Sequence, residues 1–224
     1  MVQIRISDDI KQTFKGISIG SSLIKNANTV ERCNELDEEI RRVEFWVKRN
    51  FTLEELKNHP VIRAYRDFYW KIKIDPTKQR PSAEALIRRI LRGKSIPRIN
   101  CAVDAYNLAS ILTQISIGAY DYDRIVEPLM LRWSRDGEEF WPIGGEKKTI
   151  RKQPVIADSK KIINLYPHRD SELTKITNET RNILVIACGV PGIPNNKVVE
   201  ASEMAAKYIA KYCGGEVVEV NLVI

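Results

Sequence analysis

The stretch EPLMLRWSRDGEEFWPIGGEKK, Glu127 to Lys148, carries two turn signals inside a run of strand-like residues. Asp136-Gly137 and Gly144-Gly145 are dipeptides that accept the positive φ of a tight hairpin turn, and strand-like residues lie beside them. A hairpin-rich sheet is predicted here. Directly after it, QPVIAD and KIINLYP predict two short strands joined at Ser159-Lys160, and Ile183 to Ala187 predicts a buried strand.

The residues before this sheet read differently. VQIRIS and GISIGSSLIKN predict short strands near the N-terminus, and NELDEEIRRVEFWVKRN then sets Leu36, Ile40, Val43 and Val47 on one helical face. PVIRAYRDFYWKIKI predicts a second helix, opened by Pro60 in its first turn. Its aromatics Tyr65, Phe68, Tyr69 and Trp70 could stack bases, but at this spacing they read first as core. The chain closes with a helix over Lys197 to Tyr212, a Gly214-Gly215 turn and the strand EVVEVNLVI. Helices grouped with hairpins, rather than alternating with single strands, predict an α+β fold. Residues 1–74 are expected to pack as N-terminal strands and helices on a core of residues 75–224, making one compact unit.

Composition narrows the function classes. The chain has 224 residues, 43% of them hydrophobic, enough to bury a core. No apolar run is long enough to span a bilayer and the first residues do not resemble a signal peptide, so a cytoplasmic protein without a membrane partner is expected. Cys33, Cys101, Cys188 and Cys213 are scattered without a C-x-x-C pair, and His59 and His168 are near none of them. That spacing argues against a metal site and a disulfide framework, and no cofactor is expected. Nothing calls for a homo-oligomer.

Thirty-six lysines and arginines against 29 acids give a net charge of +7. Most of the excess is local: within DPTKQRPSAEALIRRILRGKSIPRIN, Asp75 to Asn100, the part from Lys78 to Arg98 sets Lys78, Arg80, Arg88, Arg89, Arg92, Lys94 and Arg98 against a single acid, Glu84. Such a run is a solvated face, a membrane-surface element or a footprint for phosphate. Ser82 is a candidate N-cap, Gly93 a candidate stop, and Leu86, Ile87, Ile90 and Leu91 form a buried stripe beneath outward arginines. The next helix, CAVDAYNLASILTQI, is expected to turn Ala102, Tyr106, Ala109 and Leu112 inward.

Several chemistries are excluded by spacing. HRDS lacks the rest of a kinase catalytic loop, GVPGIP lacks the spacing of a dinucleotide cradle, and no G-x-S-x-G elbow is present. Three polar groups remain: VDAYN at Val103 to Asn107, GAYDYD at Gly118 to Asp123, and PHRDSELTKITNET at Pro167 to Thr180. Residues of these types either cap helices and close turns, or hold a small polar substrate and a water without a covalent nucleophile.

Taken in order, DPTKQRPSAEALIRRILRGKSIPRIN, VDAYN, IGAYDYD, GEEF, VIADSKKIINLYPHRDS and ITNETRNILVI resemble the B3/B4 domain of the phenylalanyl-tRNA synthetase beta chain. They are closest to free-standing proteins made of that domain, over about Asp75 to Gly189. The resemblance implies an α+β fold of layered β-sheet and helices. It also implies a pocket that, in the synthetases, hydrolyses tyrosine wrongly attached to tRNA. The expected activity is hydrolysis of mischarged aminoacyl-tRNA in trans, and the expected partner is tRNA or aminoacyl-tRNA. The alternative is a non-catalytic RNA-binding or protein-interaction module on the same scaffold.

Where the bacterial pattern has a Thr-Asn pair, this chain has Tyr106 and Asn107. The place of the pattern's histidine, ahead of A-x-D, is assigned to Tyr120, followed by Asp121. The glutamate that reads the tyrosine hydroxyl falls near Val185 or Ile186, both apolar, so the tyrosine-reading groups are missing in their bacterial form. The candidate pocket is therefore Tyr106, Asn107, Tyr120 and Asp121 with His168, Arg169, Asp170 and Ser171. Arg88, Arg89, Arg92, Lys94 and Arg98 are the candidate RNA contacts.

Overall fold

The computed structural model describes all 224 residues. Two β-sheets form its centre. In the first, β1 (Ile4–Ile6), β4 (Leu129–Trp133), β7 (Pro154–Ala157), β8 (Ile162–Leu165) and β9 (Arg169–Asp170) stand side by side in that order. In the second, the order is β11 (Glu216–Val223), β2 (Ser18–Lys25), β10 (Ile183–Gly189) and β3 (Ile117–Asp121), all antiparallel. A small ribbon, β5 (Glu139–Phe140) with β6 (Lys148–Thr149), closes around Gly144, whose φ is +69°. The turn signals that predicted a hairpin-rich region therefore sit in turns, and β7 and β8 form the predicted antiparallel pair. The α+β class holds.

Helices cover the sheets. α1 is Asp8–Thr13, α2 Asn34–Asn50, α3 Pro60–Lys71, α4 Ser82–Leu91, α5 Cys101–Thr113 and α6 Asn195–Cys213. α2 buries Leu36, Ile40, Val43 and Val47, the four residues its periodicity selects. Tyr65, Phe68 and Tyr69 of α3 are buried, whereas Trp70 is 55% exposed. α6 lies against β2, where a Cβ on Gly20 would come within 2.4 Å of the Val198 carbonyl. The glycine permits that approach.

β2 departs from its predicted character. Seven of its eight residues are buried although its sequence alternates, because β2 is flanked by β10 and β11 and α6 packs against it. Ser22 and Ser202 satisfy each other across the helix interface at 3.3 Å, and Tyr166, just past β8, donates to the Ser18 and Gly189 carbonyls. Ser22 is thus buried with a partner, whereas the buried Ser18 hydroxyl has none. β1 pairs with β4, and β2 lies between β10 and β11, so both N-terminal strands belong to these sheets.

α4 corrects one expectation about its start. Pro81, with φ −50° and ψ 142°, is already the cap position, so Ser82 is the first helical residue and its buried Oγ has no partner. The end is as predicted. Gly93 takes φ +77°, its amide donates to the Ile90 carbonyl at 2.9 Å, and the Lys94 amide donates to Arg89 at 3.1 Å. This is a glycine-stopped helix with its last carbonyls satisfied. The buried stripe is Ala83, Ile87 and Ile90, with Leu86 and Leu91 at its margins.

Candidate functional site

Successive side chains of a strand point to opposite faces, so Gly118 and Tyr120 of β3 share one face while Ala119 and Asp121 take the other. The two faces have different fates. Tyr120 is fully buried and its hydroxyl donates to Asp170 Oδ1 at 2.6 Å. The Asn164 amide of β8 donates to the same oxygen at 3.0 Å. The second and third polar groups of the sequence thus meet across two sheets.

Asp170 has no cation within ion-pair distance. Burial raises its pKa above the ordinary carboxylate value, opposed by the hydrogen bonds from Tyr120 and Asn164. The same burial, and then the Asp170 charge, hold the Tyr120 hydroxyl well above its ordinary value. Tyr106 of α5 behaves likewise, raised first by burial and next by Asp170, so its hydroxyl belongs to the same electrostatic neighbourhood. Asn107, one residue on, is half-buried and its side-chain amide is free of protein partners.

Gly118 changes the assignment of one position. The A-x-D element is Ala119-Tyr120-Asp121, so the residue directly before it is Gly118, and the histidine's place belongs there rather than to Tyr120. The space a side chain would use is occupied. A Cβ on Gly118 would lie 2.5 Å from the Tyr120 hydroxyl and 2.9 Å from Asp170 Oδ1. Tyr120 therefore reaches back along its own strand into the volume next to Gly118.

Other predicted residues lie apart from this pair. Asp121, on the opposite face, accepts from Thr180 Oγ1 at 2.8 Å and from the Asp123 amide at 3.2 Å, and Arg124 stands 3.4 Å away. It closes a turn. Ser171 is buried and caps the short helical turn Glu172–Thr174 by accepting from the Leu173 amide. Arg169 is exposed in β9. Val185 and Ile186 are fully buried in β10 and offer no polar group.

His168 lines a different cleft, of about 410 Å³, with Lys73, Lys148, Arg151 and Lys152. Its ring is 6.1 Å from that of Tyr69, its Nδ1 has no partner, and burial lowers its pKa to about 4. It is neutral at pH 7.

The basic run divides into two classes. Arg88 Nε donates to Glu84 at 2.7 Å, and Arg66 reaches the same fully buried carboxylate at 3.1 Å. Arg98 is held by Asp104 at 2.7 Å and by Asp37. These two guanidinium groups neutralise buried acids, a role the charge count alone does not reveal. Arg89, Arg92 and Lys94 are exposed, and with Lys78, Arg80 and Arg88 they line a cavity of about 350 Å³. Arg89 donates to the Ser95 carbonyl at 2.5 Å, which fixes its guanidinium beside that cavity.

Asn164, Gly118 and Glu84 are not among the candidate pocket or RNA-contact residues that the sequence suggests. Asn164 sits in an apolar strand run, and its role emerges only once β8 lies beside β9.

A family model described as the B3/4 domain matches residues 64–214, extending the region of resemblance on both sides. The phenylalanine–tRNA ligase beta subunit of Thermococcus onnurineus is 27% identical over 133 residues, 49% of this chain and 23% of that protein. The phenylalanine–tRNA ligase beta subunit of Haemophilus ducreyi is 25% identical over 154 residues, 58% of this chain and 19% of its own length. The chain thus spans about a quarter or less of these relatives. An N-terminal fragment of the phenylalanyl-tRNA synthetase beta-subunit from Pyrococcus horikoshii shares the fold. Its TM-score is 0.51 at 13% identity, over 99% of this chain and 50% of that one.

Proposed function

The chain belongs to the B3/4 domain family, and from that membership and the Tyr120–Asp170 pair we propose that it hydrolyses aminoacyl-tRNA carrying the wrong amino acid. It acts in trans, in the cytoplasm, on tRNA charged by another enzyme. The observation that carries the reading is a half-buried carboxylate with two neutral donors, no cation within ion-pair distance and a raised pKa. Sites that use a carboxyl group as a base have these properties.

The bond to be broken is an activated ester, so a positioned water and a donor for the oxyanion suffice. Asp170 takes a proton from water as the water oxygen bonds to the ester carbonyl carbon. The tetrahedral intermediate then collapses, the carbon–oxygen bond to the ribose breaks, and the proton passes to the leaving ribose oxygen. Tyr120 and Asn164 hold the carboxylate. In this reading the half-buried amide of Asn107 donates to the developing oxyanion. Arg89, Arg92 and Lys94 bind phosphate.

The rival reading is a non-catalytic tRNA-binding module. It is favoured by Gly118 and by the apolar Val185 and Ile186, which leave out groups the bacterial pattern uses. The two readings separate when the protein is incubated with tRNA pools carrying each of several wrong amino acids. Release from at least one pool, above the buffer rate, supports hydrolysis. Binding without release from any pool supports the rival.

A further inference from the structure

The cleft beside His168 is not accounted for by either role. Its walls bring Lys73 from just past the end of α3, Lys148 from β6, and Arg151 and Lys152 from the loop that follows, together with Gln79. No acidic residue lines it, and none of the four cations is in an ion pair. Four like charges around one concavity repel one another and raise its potential, an arrangement suited to a phosphate-bearing ligand.

The backbone supplies a second observation. Lys73, two residues past α3, has φ +62°, a left-handed conformation that glycine or asparagine adopts at lower cost. A lysine held there in place of a less costly glycine points to use of its side chain.

Position supplies a third. His168 is two residues from Asp170 in sequence. The β5–β6 ribbon that carries Lys148 is tied to the same place, because the Ile143 amide in its turn donates to the Asp170 carbonyl at 3.1 Å. The cleft and the Tyr120–Asp170 pair are therefore joined through His168 along the chain and through the β5–β6 ribbon by this hydrogen bond.

We propose that this cleft binds phosphodiesters of the single-stranded 3′ end of tRNA, guiding the charged terminus toward Asp170. The proposal rests on the reading of the chain as a tRNA-binding protein. It assigns α4 and the cleft to different parts of one RNA, the exposed arginines to the body and the cleft to the terminal strand.

The test measures binding against salt for the whole protein, using intact tRNA and the same tRNA trimmed of its unpaired 3′ nucleotides. The variants are Lys73→Gly, Lys148→Ala and, as reference, Arg92→Ala. Lys73→Gly relieves the left-handed backbone, so its Tm should equal or exceed wild type and any loss of binding is not loss of fold. Each cleft variant is expected to weaken intact tRNA about fivefold at 0.1 M salt and to lower the salt slope by about 0.7. On trimmed tRNA neither should differ from wild type, whereas Arg92→Ala should weaken both RNAs. Cleft variants that bind intact tRNA like wild type, or lose equally on both RNAs, overturn the proposal while leaving tRNA binding in place. Wild-type protein that binds no tRNA overturns both.

Discussion

Tyr120 and Asp170 meet at 2.6 Å across the interface of the two sheets, with Gly118 making the room they occupy. The hydroxyl donates, the carboxylate accepts, and no cation neutralises the charge. Buried carboxylates usually acquire a cationic partner, as Glu84 and Asp104 do in this same molecule. Asp170 is half-buried and has none, and a carboxylate left so without a cation is the expected mark of a functional group.

Asp170→Asn should separate stability from function. Burial raises the Asp170 pKa, so the folded state binds this proton more tightly than the unfolded chain. Its contribution to stability is then fully present below the ordinary carboxylate range and is lost as pH rises through the folded-state pKa. An asparagine can still accept from Tyr120 and Asn164 through one oxygen, and it carries no charge. The variant should have a Tm at pH 7 equal to or above wild type, with the difference shrinking as pH falls toward 4. Thermal melts across this range measure it, and a strong loss of Tm at pH 7 would speak against a strained functional carboxylate.

Gly118→Ala should disrupt the pair without touching the RNA surface. Its Cβ would lie 2.5 Å from the Tyr120 hydroxyl, so the ring or the strand must shift. Such overpacking costs about 1–3 kcal/mol. Hydrolysis should fall at least tenfold while tRNA affinity stays within about twofold, which a deacylation assay and a binding isotherm on one preparation would show.

The arginines of α4 should not behave alike. Arg88 pairs with Glu84, which is fully buried, and Arg88→Ala leaves that charge with Arg66 alone. A loss of about 3 kcal/mol is expected from breaking such a pair, measurable by urea titration. Arg89→Ala with Arg92→Ala should leave stability within about 0.5 kcal/mol, because both side chains are exposed, and should lower the salt slope of tRNA binding. Equal stability losses for Arg88 and Arg92 variants would contradict this division.

His168 should limit stability in acid. Its folded-state pKa, lowered by burial to about 4, is below that of the unfolded chain. The stability it supports is present above pH 6.5 and is lost as pH falls toward 4. His168→Gln should flatten this acid limb by an amount on the order of 2–3 kcal/mol at pH 4. Stability curves for the two proteins that stay parallel between pH 7 and pH 4 would show that His168 protonates freely in the fold.

The fold was legible wherever local chemistry determined local structure. Asp-Gly and Gly-Gly turns, the periodic face of α2 and the glycine stop of α4 each depend on residues within one or two turns of one another. The site was legible only in part, because its contacts are long-range. Tyr120 and Asp170 are separated by 50 positions, and only the packing of two sheets reveals that they touch. Arg88 and Arg98 count as free charge in a sequence, and only burial of Glu84 and Asp104 shows them engaged. The cysteines are scattered in the sequence, yet Cys101 of α5 comes close to the end of α6, where its thiol donates to the Tyr212 carbonyl at 3.2 Å beside Cys213. Strand periodicity by itself places Asp121 on the opposite face from Tyr120.

The most direct measurement is the rate of ester cleavage from mischarged tRNA by wild-type protein and by Asp170→Asn, at equal occupancy of tRNA. Wild type should release amino acid from at least one pool, and the variant should be slowed by about two orders of magnitude or more while binding the same tRNA. Wild-type release that Asp170→Asn reproduces at the same rate would contradict the assignment of Asp170. Release from no pool by a wild-type protein that binds tRNA would contradict hydrolysis itself.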